Sequence, residues 1–134
     1  MFARNNGAKI VIVHGETIME PVIPGTNRKA IECGANIIAH PGHLKKADAE
    51  LAAKKGVCIE ITTRKNHSGT NKEVIKVAAA AGAKLVLNTD THGPEDIIND
   101  KKAEAFLKRL GLGRKEISKI FSNSKELVKN CLDF

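Results

Sequence analysis

Glycine followed by a short aliphatic run recurs four times along this chain and constrains its fold more than any other feature. The phrases are Gly7-AKIVIVHGE, Gly34-ANIIAHPG, Gly56-VCIEIT and Gly82-AKLVLNTDTHG, their glycines 27, 22 and 26 residues apart. Short continuous apolar runs read as strands buried on both faces, the habit of parallel sheets. A glycine just before each run fits the left-handed stop of a preceding helix. Helix-like stretches fill the intervals: Asn27–Cys33, His43–Lys55 and Asn71–Ala81. Alternation with connections this short implies right-handed βαβ units and an α/β fold of about four parallel units. The tail differs, reading as helices over Asp100–Leu110, Lys115–Ser122 and Ser124–Asn130.

No linker or low-complexity stretch interrupts the pattern, so residues 1–134 are expected to form a single domain. The 42% apolar content supports a core, and with four Phe, no Trp and no Tyr that core must be aliphatic. Scarce aromatics also remove the base-stacking platforms of single-strand nucleic-acid binders. The net charge of +7 suggests an anionic partner. The cations are spread along the chain, densest over Lys101–Lys129 and mixed with Glu, as on a solvated helix face. Three cysteines, Cys33, Cys58 and Cys131, form no CxxC pair, which points to a reducing cytoplasm, and Cys33 and Cys58, in apolar surroundings, read as small hydrophobes rather than thiol nucleophiles. No run approaches a membrane span.

The ligand-type residues fall where the strands end. His14 closes the first strand, His40 the second, and Asp90 and His92 follow the fourth, with Glu60 near the end of the third. Catalytic groups of parallel sheets gather at these carboxyl ends. In an extended Asp90-Thr91-His92, carboxylate and imidazole point the same way. Mixed nitrogen and oxygen donors suit zinc, manganese or iron, which could polarise a phosphoryl oxygen and supply hydroxide at neutral pH. Arg64 and His67 lie in a polar loop that reads either as surface or as an anion grip. Glu60 is open between direct ligation and a supporting role. Glu16 or Glu20 could orient His14, Glu20 reading more as loop structure, and His43 reads as a helix cap.

Taken together, VHGETIMEPV with GTN, IIAHPG, IEITTRKNHSGTN and LVLNTDTHGPEDI resemble, in order and spacing, the PHP domain family, nearest its small histidinol-phosphatase-like members. The resemblance runs from about Gly7 to Ile98. It implies a distorted TIM-like barrel and a metal-dependent phosphoesterase, a hydrolase acting on phosphomonoesters. His14, His40, Asp90 and His92 then match metal ligands, Asp90 and His92 carry the catalytic roles, and Arg64 and His67 border the substrate. The family's opening His-x-His motif is absent here, which implies a partial barrel, inactive unless completed. The expected partners are a phosphorylated small-molecule substrate and either a second copy or an N-terminal complement. Nucleic acid is possible but not favoured. The alternative reading is a non-catalytic subunit or RNA-binding barrel-like module, as in the barrel-shaped protein subunit of archaeal ribonuclease P.

Overall fold

The computed structural model describes residues 2–132. Four strands, β1 (Ile12–His14), β2 (Ile37–Ala39), β3 (Cys58–Thr62) and β4 (Leu85–Asn88), form one parallel sheet in the order β1-β2-β3-β4. Consecutive strands are neighbours throughout, as βαβ units require. After a short α1 (Phe2–Asn5), the crossovers are α2 (Thr26–Glu32), α3 (Lys46–Lys55) and α4 (Asn71–Ala81). The α3 and α4 helices stop on Gly56 and Gly82, both left-handed with φ of 70°. Their amides return to carbonyls of the last turn, so the glycine that opens each strand phrase also ends the helix before it.

Register sorts the strand side chains onto two faces. Val13, Ile38, Ile59, Ile61, Leu85 and Leu87 share one face, since Val13 pairs with Ile38, Ile59 with Leu85, and Ile61 with Leu87. Ile38 and Ile59 pack with Ile31, Ala49, Ala52 and Val74 of α2, α3 and α4. Ile61 packs with Leu107, Ile117 and Ile120 from the C-terminal helices and with Leu112 from the turn between them. Residues such as Ile59 and Leu107 are completely buried, and burying an aliphatic side chain of this kind contributes about 1.5–3 kcal/mol. The opposite face is apolar near the start of the strands, where Ile37, Cys58 and Val86 meet Leu127, and polar near their ends.

The C-terminal helices are α5 (Asp100–Arg109) and α6 (Arg114–Leu132). The Asn99 side chain accepts from the Lys102 amide and caps α5. The two helices expected over Lys115–Ser122 and Ser124–Asn130 are one. Ser122-Asn123-Ser124 reads as a break by propensity, but Asn123 is buried and its Nδ2 donates to Leu85 O at 2.8 Å. Tertiary packing along Ile117, Ile120 and Leu127 outweighs the weak local preference. The helix thereby reaches both faces, Ile120 lying on one and Leu127 on the other. Cys33 is exposed rather than embedded, while burial pushes the Cys58 thiol pKa up. Among the described residues no helix is long and apolar enough to cross a membrane.

Candidate metal centre

Among the described residues, His40 and Asp90 are the two non-glycine residues with positive φ, 48° and 49°. Both stand just past the end of a strand, and such conformations persist only where surrounding contacts fix them. The contacts are evident: His40 Nε2 lies 3.3 Å from Asp90 Oδ2, and His40 is 5% exposed. Glu60, equally buried, holds His40 from the other side. Its Oε1 accepts from the His40 amide at 3.3 Å and stands 3.1 Å from Nδ1. That second approach is an ion-pair distance without hydrogen-bond alignment, so Nδ1 is a buried nitrogen with no hydrogen bond. Asn88 Nδ2 donates to Glu60 Oε2 at 2.7 Å and fixes the carboxylate. Burial disfavours the charged imidazole of His40, but Glu60 and then Asp90 outweigh it, and the pKa is raised.

Three imidazoles, those of His14, His40 and His67, bring one donor nitrogen each within 4.8 Å of one another. His14 arrives from the end of β1 with its Nε2 3.0 Å from Glu20 Oε1. His67 comes from the loop after β3, and its Nδ1 meets the Thr17 hydroxyl at 2.7 Å. Its pKa is lowered, first by burial and then by the charge of His40. The donor types are those of a divalent-ion site, which the three nitrogens could hold. Two ligand atoms on one tetrahedral ion, with bonds of about 2.0–2.2 Å, stand roughly 3.3–3.6 Å apart. The His40–Asp90 separation of 3.3 Å lies in that range. Glu60 stands behind the His40 ring, on the side where a ligating histidine usually has a carboxylate partner.

Other expected site residues lie differently. The His92 ring is 62% exposed; its Nδ1 meets Asp90 O at 2.7 Å and is not in the histidine group. Arg64 Nη1 donates to Asp96 Oδ2 at 2.9 Å, and its Nε lies 3.9 Å from Asp90. Glu16 caps α2 rather than orienting His14: its Oε1 accepts from the Gly25 and Asn27 amides at 2.9 and 3.0 Å. Glu20, read as loop structure, is the one that reaches His14. His43 pairs on the surface with Glu73 at 2.8 Å.

Asp96 was not legible as part of the site. Its Oδ2 accepts from the His92 and Gly93 amides and from Arg64, and so fastens the loop after β4. The sole signal was its place in the short turn Pro94–Asp96. Asn27 likewise ties two strand ends, with Oδ1 accepting from Glu16 N at 3.0 Å and Nδ2 donating to Pro41 O at 2.8 Å.

No family model matches the sequence. An uncharacterized protein of Methanocaldococcus jannaschii is 43% identical over 133 residues, covering 95% of this chain and 59% of its own length. A "probable phosphatase" of Shewanella frigidimarina is 29% identical over 133 residues, covering 84% of this chain and 52% of its own. The chain thus spans between about half and three fifths of these curated relatives. A chain in the cryo-electron microscopy structure of archaeal ribonuclease P with mature tRNA shares the fold. The TM-score is 0.77 at 19% identity, over 97% of this chain and 63% of that one.

The expectation about partners is corrected by this last finding. A phosphorylated small molecule with nucleic acid not favoured, and a second copy or N-terminal complement as companion, gives way to a fold found in a protein–RNA assembly. Scarce aromatics remove only base stacking on single strands, whereas folded RNA is recognised largely through shape and phosphate contacts.

Proposed function

We propose that this chain carries the metal-holding wall of a PHP-like phosphoesterase, a hydrolase whose phosphoester belongs to RNA. The convergence of His14, His40 and His67 beside Asp90 carries this reading. The likeness to a "probable phosphatase" supports it. His14, His40, His67 and Asp90 would hold the ion, zinc, manganese or iron by donor type. When bound, the ion supplies Lewis-acid polarisation of a phosphoryl oxygen. Glu60 fixes the His40 ring and Asn88 fixes Glu60. Arg64, anchored on Asp96, offers its remaining donors to the phosphate. His92 lies at the exposed rim with its Nδ1 against Asp90 O.

A second reading is a non-catalytic RNA-binding subunit of the same single domain, and the comparison with solved structures favours it over hydrolysis. The shared fold with a chain of archaeal ribonuclease P and the net charge of +7 support it. The unpaired cysteines suit a cytoplasmic location under either reading.

One experiment separates them. The purified protein is analysed for zinc, manganese and iron, then assayed for phosphate release from an RNA oligonucleotide with a terminal phosphate, beside an Asp90→Ala, His40→Ala variant. Metal and hydrolysis both lost in the variant support the phosphoesterase. RNA retention by wild type and variant alike, with no turnover at any metal loading, overturns it in favour of the binding subunit.

A further inference from the structure

At the start of β4, away from the strand ends that carry the histidines, a groove of about 420 Å³ runs between α4 and α6. Its apolar lining comes from Ile75, Ala79, Leu85, Leu112 and Ile120, and Lys84, Lys115 and Lys119 stand along its sides. The charges of this rim are unbalanced. Lys84 is engaged by Glu126 at 3.0 Å, and Glu116 turns its carboxylate to the Gly113 amide at 2.7 Å. Lys115 and Lys119 have no ion-pair partner among the described residues. Asn123 also lines the groove and is 2% exposed. Its Nδ2 is spent on Leu85 O, while its Oδ1 is buried without a hydrogen bond among the described residues.

We propose that the groove docks an acidic amphipathic helix of a partner protein. Its apolar stripe would cover the aliphatic floor, and its carboxylates would meet Lys115 and Lys119. The aliphatic floor offers nothing to a ribose–phosphate chain, which argues for a peptide over RNA. The site is independent of the histidine cluster and of either reading of its function.

The test uses the full chain and a fluorescein-labelled synthetic helix of roughly 18 residues, with Leu at i, i+3, i+4 and i+7 spacing and Glu elsewhere. A shuffled peptide of the same composition is the control. Two variants alter exposed positions only: Lys115→Glu with Lys119→Glu, and Ala79→Trp, which fills the groove. Saturable anisotropy with Kd on the order of tens of micromolar is expected, weakened at least about tenfold by each variant and absent for the shuffled peptide. Several outcomes overturn the proposal: no saturation, equal binding of the shuffled peptide, insensitivity to either variant, or binding of an RNA oligonucleotide at these lysines in place of the peptide. Circular dichroism of the variants establishes that they fold.

Discussion

His40 and His67 belong to different strand-end loops yet stack ring on ring, with centroids 4.1 Å apart and planes 16° from parallel. Two imidazolium ions would repel at that distance, so the pair divides its protons. Glu60 and Asp90 hold the proton on His40, and burial together with that charge keeps it off His67. In the metal-free protein, imidazole NMR titration should find His40 titrating above the ordinary histidine value and His67 below it. The signs differ. Stability from His40 is full below its unfolded pKa and is lost as pH rises through the raised folded one. Stability from neutral His67 is full above its unfolded pKa and is lost as pH falls through the depressed one. Since a ligating imidazole must be neutral, zinc affinity measured by calorimetry should rise with pH through the His40 titration. A pH-independent affinity would remove His40 from the ligand set.

Glu60 acts on the site through His40. Glu60→Gln keeps the shape but removes the charge, so the His40 pKa should drop. Zinc affinity should weaken by about 10–100-fold, the usual effect of losing a partner behind a ligating ring. Urea unfolding should show roughly 1–3 kcal/mol of destabilisation, because the His40 amide and the Asn88 side chain lose a charged acceptor. Unchanged metal affinity would make Glu60 a structural residue only.

Gly42 and Gly56 are both left-handed, with φ of 61° and 70°, but they stand in different surroundings. A Cβ on Gly42 would lie 1.8 Å from Glu16 O, whereas one on Gly56 meets nothing within 4 Å. Gly56→Ala should therefore cost only the left-handed penalty of about 1–2 kcal/mol. Gly42→Ala should cost more, because the loop after β1 must move to relieve the overlap. Since that loop supplies Glu20 and Thr17, the His14 and His67 resonances should shift in Gly42→Ala and stay put in Gly56→Ala. Equal destabilisation of the two variants would contradict the packing described.

Asp96 has its pKa lowered, first by the His92 amide and then by the Gly93 amide and Arg64. Its contribution is present above the ordinary carboxylate value and vanishes as pH falls through the depressed one. Hydrogen exchange at the His92 and Gly93 amides should stay slow down to that lower pH. In Asp96→Asn it should be fast throughout, with the rest of the sheet still protected. Protection that survives the substitution would mean that Asp96 does not hold the loop.

The repeated glycine phrase placed all four strands, the parallel order and the left-handed stops of α3 and α4, because these depend on local sequence: a helix end, a buried run, a short crossover. It also placed His14, His40 and Asp90 at strand ends. Other features depend on what lies opposite in space. Ser122-Asn123-Ser124 stays helical because Asn123 finds Leu85 O, a partner 38 residues away. His67 joins His14 and His40 because Thr17, 50 residues earlier, takes its Nδ1. Glu16 and Glu20 have similar local settings, and only the folded loop makes one a helix cap and the other a neighbour of His14. The sequence alone determined a parallel α/β sheet with a polar rim of ligand-type residues. Which of them meet was decided by tertiary structure, since convergence is a property of loops closed over long separations and not of any one segment.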